Sequence, residues 1–416
     1  MEAYKMAKRK KNPASKELMK HLFENYEIKS ALDVQEALKD MFAETLENML
    51  EAELDDHLGY DKNEHGAAET TNRRNGKTKK TVLSQLGDVA IDVPRDRESS
   101  FEPQIVQKGQ KDVIGIEEKV LSMYGRGQSQ RDIETTINEI YGFSISHETV
   151  SKITDKIIPQ ITEFRNRALK PFYPFVFVDA MYVPVKTEQG AGQKALYNII
   201  GIDSEGRKEV LGFWLSEGEN SREWLQILEE IKRRGVADIL FISLDGLPGL
   251  EDAIKVVYPN VNQQRCIVHL MRNATRYIPR KDWVKFAKDI KSVYRAVSLD
   301  EAQVLFEEFK SNWSKYGAAV AVWDKNWTSI ENLFTYPENI RKIIYTTNTI
   351  ESYHNQLRKV TNRKGAFPNE MSLFKLLFLR INDIQSTWYR PVHNWPKVLN
   401  ELVLIFEDRI TQHLRY

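Results

Sequence analysis

Phe175-Val176-Phe177-Val178-Asp179 and Ile239-Leu240-Phe241-Ile242-Ser243-Leu244-Asp245 are the two stretches from which the rest of the chain can be read. Each is a short, continuous apolar run that ends on a carboxylate. Such runs suit strands covered on both faces, as in a sheet packed between helices. Ala195–Ile202 and Val210–Leu215 read as further strands, with a short one near Val261–Ile267. Ser221–Arg234 reads as a capped helix with Trp224, Leu225, Leu228 and Ile231 on one face, and a second helix follows over about 249–257.

The order strand, strand, strand, helix, strand, helix, strand predicts an α/β core of the ribonuclease H-like type. Acids at strand ends of such sheets sit where ligands collect. Asp245 precedes Gly246, so a plain turn also explains it. Asp179 is harder to dismiss, because a carboxylate directly after four large apolar residues is poorly solvated without a partner. A third acid, Glu351, lies in Asn348-Thr349-Ile350-Glu351, where it could equally cap its own helix from position N3. Acids gathered closely repel and raise one another's pKa, and a divalent cation removes that cost. An oxygen-rich site of this kind suits Mg²⁺, with Mn²⁺ as a substitute. Two such ions can activate an attacking oxygen and stabilise a leaving one.

Working outward, residues 1–12 read as a basic, disordered tip. Residues 30–58 are acidic and helical, with Phe42, Leu46, Met49, Leu50, Leu54 and Leu58 at helical spacing. This stripe either faces a core or pairs with a second copy. Thr81-Val82-Leu83 and Val89–Val93 flank a Gly87-Asp88 turn and predict a β-hairpin. Over 117–160, Ser129 can cap one helix (Ile133, Ile137 and Ile140 inward), Gly142 stops it, and Ser146 can cap another (Val150, Ile153 and Ile157 inward). That spacing fits a helix-turn-helix, with His147, Glu148, Ser151 and Lys152 near the groove, or any α-hairpin in a bundle.

Residues 269–340 break the alternation and look helical throughout, with Trp283, Trp313, Trp323 and Trp327 among them. Core packing is the simplest use of these rings, but Trp323 or Trp327 could stack on an unpaired base. Residues 265–295 hold nine Lys/Arg against two Asp. Lys281, Lys285, Lys288, Lys291 and Arg295 share one helix face, opposite Trp283, Phe286, Ile290 and Val293. A one-signed face attracts phosphates. Cys266-x-x-His269 is half of a zinc site. The chain has no other cysteine to complete it, and no third group to make the pair a nucleophile.

The chain has 416 residues, with 41% hydrophobic, 29% charged and a net charge of +1. This is the profile of a globular protein of several domains. No apolar run is long enough to span a bilayer, and no apolar segment follows the basic start. Membrane association and secretion are therefore not expected. The single cysteine fits a cytoplasmic setting, with nucleoid association if DNA is the partner.

Several runs resemble the mutator-type transposases of bacterial insertion sequences: Val178-Asp179-Ala180, Ser243-Leu244-Asp245-Gly246, Arg265-Cys266-Ile267-Val268-His269 with Arg272-Asn273, Tyr345–Ser352, and Val93-Pro94-Arg95-Asp96-Arg97. The family often has Asn where Tyr353-His354 stands. The resemblance implies a DDE transposase in which Asp179, Asp245 and Glu351 are catalytic and hold two Mg²⁺ ions. It implies support of the site or DNA contact for Cys266, His269, Arg272 and Asn273. Arg358 would clamp a phosphate two turns after Glu351, with Lys359, Arg363 and Lys364 beyond. The implied partners are terminal inverted repeats and target DNA, bound by a homodimer, and the implied route is copy-out, paste-in through a circular intermediate.

The division expected on this basis is a helical dimerisation or DNA-binding region (1–70), a small β module (71–115) and a helix-turn-helix domain (116–168). The core follows in two parts (169–262 and 342–416, the latter with C-terminal helices), separated by an all-helical insertion (263–341). Two other readings share the residues. One is a ribonuclease H-like nuclease that cuts without joining, and the other a non-catalytic, transposase-derived DNA-binding protein.

Overall fold

The computed structural model describes residues 24–62, 71–84, 86–108, 115–141, 144–188, 190–247, 249–345 and 348–414. The expected basic tip and the side chain of Asn348 lie outside them, as does Gly142. The chain divides into two units, Met1–Met123 with Gln130–Ile153, and Tyr124–Ser129 with Thr154–Tyr416.

In the first unit, helix α1 (Ala31–Leu58) begins at a reciprocal cap. Ser30 Oγ accepts from the Asp33 amide, and the Asp33 carboxylate accepts from the Ser30 amide. The helix ends at Gly59 in the left-handed region (φ 73°). Strands β1 (Arg74–Ser84) and β2 (Gly87–Asp96) form an antiparallel hairpin. Ser84 pairs with Gly87, so the turn falls one to two residues before the expected Gly87-Asp88. Leu46 and Leu50 of α1 pack on Val82, Val89 and Ile91 of the hairpin. The apolar stripe of α1 is thus a core face, and Met49, expected within it, is exposed.

Helix α2 (Ile116–Gly125) precedes α3 (Gln130–Tyr141) and α4 (His147–Asp155). Ile133, Ile137 and Val150 are buried as their spacing predicts. Ile140 is 63% exposed and leaves the expected stripe, because it lies beyond the face that packs. Ser146 Oγ accepts from the Thr149 amide and starts α4.

The second unit opens with α5 (Ile158–Asn166) and is built on a five-stranded sheet. Its strands are β3 (Phe172–Thr187), β4 (Gly190–Ile202), β5 (Lys208–Ser216), β6 (Asp238–Leu244) and β7 (Asn262–Arg265), in the order β5-β4-β3-β6-β7. β3 is antiparallel to β4 and parallel to β6; β4 and β5 are antiparallel, and β6 and β7 parallel. Helices α6 (Ser221–Arg233) and α7 (Leu250–Val257) cover one face, where Trp224, Leu228, Ile231 and Ile254 pack on Val176, Val178, Ile239 and Ile242. On the other face Phe175 and Phe241 stack at 5.2 Å and meet Trp395 and Phe406 of the C-terminal helix. Coverage on both faces is what the unbroken apolar runs require. Truncating a ring as buried as Phe175 to alanine would cost about 3–5 kcal/mol.

Helices α8 (Ile267–Thr275), α9 (Trp283–Tyr294), α10 (Leu299–Asn312), α11 (Gly317–Asp324), α12 (Trp327–Glu331) and α13 (Glu338–Tyr345) follow β7. The chain returns along the sheet as α14 (Asn348–Thr361), then α15 (Glu370–Ser386) and α16 (Trp395–Leu414). The C-terminal helices expected here are separated between Ser386 and Trp395, where Pro391 cannot extend a helix. None of the described helices is long and apolar enough to cross a membrane.

Candidate functional site

Asp179 was expected to end its strand; instead β3 continues through it to Thr187. The extension has partners on both sides. β4 follows it to the Thr187–Gly190 pair, and beyond the end of β6 the amide of Lys186 donates to the carbonyl of Phe367. What ends at this level is the parallel pairing with β6, whose last register pair is Phe177–Ser243. Two residues on from that pair stand Asp179 and Asp245. The even offset puts both on the same side of the pleat. Asp245 leaves β6 into a loop in which Gly246 lies against Arg265, and Arg265 donates to the Asp245 carbonyl at 3.2 Å.

β7 ends at Arg265 and α8 begins immediately. The amide of Cys266 still bonds to the Leu244 carbonyl, so α8 starts fixed to the end of β6. Cys266, His269 and Arg272 recur every three residues along one side of this helix. Ligand atoms of Asp179, Asp245 and His269 all lie within 4.8 Å of one another. His269 Nε2 is 3.7 Å from Asp179 Oδ2. Burial works against a charge on His269, but Cys266, Asp179 and Asp245 outweigh it and raise its pKa to about 9. Cys266 is itself buried and free.

A residue that the sequence does not single out completes the surroundings of Asp179. His354, on α14 and 1% exposed, directs Nδ1 to Asp179 Oδ2 at 3.2 Å. Asn198 Nδ2 donates to His354 Nε2 at 3.1 Å, and Tyr353 Oη donates to Asn198 Oδ1 at 3.1 Å. With Nε2 accepting, the proton of the neutral ring is on Nδ1, facing the carboxylate. Burial pushes the Asp179 carboxyl up, while His354, His269 and the Ala180 amide more than offset this and hold it below its usual value.

Glu219 is a second residue missed from sequence. It is half-buried on the loop after β5, accepts from Trp224 Nε1 at 3.3 Å, and has its pKa raised by burial, with Asp245 and Asp179 adding to the rise. Its position after a strand that runs parallel to β3 is the signal that would have found it.

Glu351 is on α14 one turn before His354's level, and its Oε1 bonds Arg272 Nη2 at 2.5 Å. It is therefore one residue removed from the Asp179–Asp245–His269 group, through the helix that carries His269. A cavity of about 440 Å³ opens beside Asp245, lined by Arg265, His269, Asn273, Arg276 and Lys325.

The other expected contacts fall in several places. Lys281, in the short 3₁₀ turn Arg280–Asp282, and Lys285 and Lys288 on α9 are exposed, with Phe286, Ile290 and Val293 buried beneath, whereas Trp283 is 40% exposed. Arg295 closes that helix. Arg358 bonds Asn355, Lys359 is exposed, Arg363 donates to the Arg126 carbonyl, and Lys364 sits 3.8 Å over the Tyr124 ring. In the first unit His147 bonds Glu134 at 2.9 Å, Ser151 is half-buried and Lys152 exposed. Trp323 is fully buried and Trp327 stacks on Phe306 at 4.1 Å. Trp323 has no exposed ring face, whereas Trp327 is half-buried with one face on Phe306.

Comparison with known proteins adds the following. A family model described as "Transposase, Mutator family" matches residues 14–391. The transposase for insertion sequence element ISRM3 of Rhizobium meliloti is 35% identical over 396 residues, covering 95% of this chain and 98% of that protein. A probable insertion-element transposase of Corynebacterium diphtheriae is 30% identical over 343 residues, covering 77% of this chain and all of that protein. The IS905 transposase of Lactococcus lactis is 29% identical over 362 residues, covering 87% and 92%.

Proposed function

The chain belongs to the Mutator family of transposases, and from that premise we propose that it binds the terminal inverted repeats of a bacterial insertion sequence and catalyses Mg²⁺-dependent DNA cleavage and strand transfer. Asp179, Asp245 and Glu351 are its catalytic carboxylates in this reading. The observation that carries it is the convergence of Asp179, Asp245 and His269 within 4.8 Å beside a cavity lined by cationic side chains. The sheet order β5-β4-β3-β6-β7, with its one antiparallel and one parallel flank, supports a ribonuclease H-like core.

The donor set fits a divalent cation. Two carboxylates converge on one point, and like-charged acids at that distance call for a cation between them, a place that the protonated His269 takes in the absence of a metal. Asp179 and Asp245 would hold it, with Glu351 completing the set and Mg²⁺ or Mn²⁺ favoured by the oxygen donors. When bound, a pair of such ions supplies Lewis-acid stabilisation of charge on the phosphoryl oxygens and on the attacking and leaving oxygens.

The chain's own residues supply the rest. His354 fixes the Asp179 carboxylate through a hydrogen bond whose donor is itself held by Asn198. Arg265, Arg276 and Lys325 offer cations to the phosphates of a strand entering beside Asp245, and Arg358 does so along α14. Water attacks the phosphodiester at the element end and the 3′-oxygen leaves as a hydroxyl. That hydroxyl then attacks a second phosphodiester in line, forms a new 3′–5′ linkage at its phosphorus and displaces the neighbouring nucleotide's 3′-oxygen, which leaves as a hydroxyl. Copy-out, paste-in through a circle is the route proposed, by a homodimer, with the regions 1–70, 71–115 and 116–168 reading the repeats, the last as a helix-turn-helix.

Labelled element-end DNA incubated with Mg²⁺ tests the proposal. The wild-type chain is expected to nick and join it. Asp179→Asn, Asp245→Asn and Glu351→Gln are expected to bind it and do neither. Joining by any of the three variants overturns the assignment of that acid.

A further inference from the structure

Thr349 and Ser352 flank Glu351 on α14 but turn away from it, into a different cavity of about 510 Å³. That volume is in the range of small-ligand sites. One wall is Trp388, half-exposed, in the break between α15 and α16. Lys208, at the start of β5, holds its ammonium 5.9 Å from the centre of that ring. Burial lowers the Lys208 pKa, and among the described residues no carboxylate pairs with it. Arg295 enters from the end of α9 with its guanidinium 5.6 Å from the Tyr345 ring, and it makes no ion pair among the described residues. Lys342 adds a third cation, bonded to Glu338 at 2.6 Å. A half-exposed indole, cations around it and hydroxyls from Thr349 and Ser352 form a surface with two kinds of affinity. The ring attracts a planar π-system, and the cations attract an anion.

We propose that this cavity holds one unpaired nucleotide, its base stacked on Trp388 and its phosphate among Lys208, Arg295 and Lys342. The inference rests on the transposase reading for the source of that nucleotide, a DNA strand flanking the scissile phosphate. Position supports that source. Trp388 lies 6.3 Å from the Tyr353 ring, and Tyr353 leads through Asn198 and His354 to Asp179. Three packed side chains, Tyr353, Asn198 and His354, connect a nucleotide seated here to Asp179. The cavity also gives the protein an aromatic platform in place of Trp323, which is spent on the core.

The test uses the full chain and two fluorescent probes, 2-aminopurine deoxyribonucleoside 5′-monophosphate and a single-stranded decamer containing one 2-aminopurine. Stacking on an indole quenches the probe. The decamer is expected to be quenched by the wild-type chain and equally by Asp179→Asn, which separates this site from catalysis. Trp388→Ala is expected to abolish the quench. Lys208→Met and Arg295→Met, which keep an apolar stem and remove the charge, are expected to weaken decamer binding tenfold or more, and Trp388→Phe to restore binding in part. Quenching that survives in Trp388→Ala, or no quenching by the wild-type chain, overturns the pocket. Monophosphate bound as tightly as the decamer overturns the strand as its source and leaves a free-nucleotide site. If the decamer binds as expected while element ends are never cut, the transposase mechanism fails and the pocket stands.

Discussion

His354 donates from Nδ1 to Asp179 Oδ2 across 3.2 Å, and Asn198 closes the other side of the ring by donating to Nε2. The imidazole thereby has one tautomer and one orientation, and Asp179 one rotamer. Groups that orient a metal-binding carboxylate typically matter by ten- to a hundredfold. His354→Ala is expected to lower Mg²⁺-dependent cleavage by about that factor. His354→Asn, which keeps a donor, is expected to lose less. Equal activity in His354→Ala and wild type, measured at saturating DNA over a Mg²⁺ titration, would remove His354 from this role.

Arg272 competes with any cation for Glu351 and adds positive charge close to the acids. Removing it lowers the electrostatic cost of placing a divalent ion there. Arg272→Met is expected to tighten Mn²⁺ binding severalfold by calorimetry. Glu351→Gln is expected to weaken it. Weaker Mn²⁺ binding in Arg272→Met would mean that the arginine holds Glu351 in place for the ion and does not compete with it.

The pH dependence of stability is set in part far from the acids. Asp96 is 2% exposed, and it accepts from Asn72 Nδ2 at 2.7 Å, from the amide and hydroxyl of Ser100 at 2.9 and 2.8 Å, and from the Phe101 amide at 3.2 Å. Burial pushes its carboxyl up, and these donors together bring it far below 3.8. A pKa depressed on folding contributes stability that is complete above the unfolded value and is lost as pH falls from there toward the folded one. Protection of the Ser100 and Phe101 amides against hydrogen exchange is therefore expected to fall below about pH 4. Asp96→Asn should cost about 1–3 kcal/mol at neutral pH and flatten that dependence.

Gly206 turns the chain between β4 and β5 at φ 80°, and a Cβ there would stand 2.4 Å from the Trp395 ring. Gly206→Ala meets both backbone strain and overlap with a buried indole. A loss of about 2 kcal/mol or more in denaturant unfolding is expected. A neutral effect would show that the 203–207 turn can shift away from the C-terminal helix.

The sheet was legible because its strands are buried on both faces and so read as unbroken apolar runs. Phe175–Val178 and Ile239–Leu244 could be nothing else at that length. The site was legible only in part. Asp179 and Asp245 were found by their place after those runs, although β3 does not stop at Asp179. Its continuation shows only as the alternation of buried Met181, Val183 and Val185 with Tyr182, Pro184 and Lys186, and it is held by β4 and by Phe367, far away in sequence. His354 was hidden because a histidine one position past a buried tyrosine looks like any helix residue until α14 is laid on the sheet. The inward stripes of α3 and α9 were readable at their centres and failed at their ends, where Ile140 and Trp283 lie beyond the packed face. Trp323 could not be separated from Trp388 by sequence, because only packing tells which indole is already covered.

Helix α8 is nine residues long, about 13 Å at 1.5 Å per residue. From Cys266 at its start to Arg272 it meets β6, Asp179 and Glu351 in turn, all along one side. It is thus a gauge that sets the spacing of all three acids from a single rigid piece. One residue inserted or deleted within it would rotate everything beyond that point by about 100°. His269 or Arg272 would leave its acid without any change at the acids themselves. The proposed catalytic centre is therefore as sensitive to the length of this short helix as to the identity of its carboxylates.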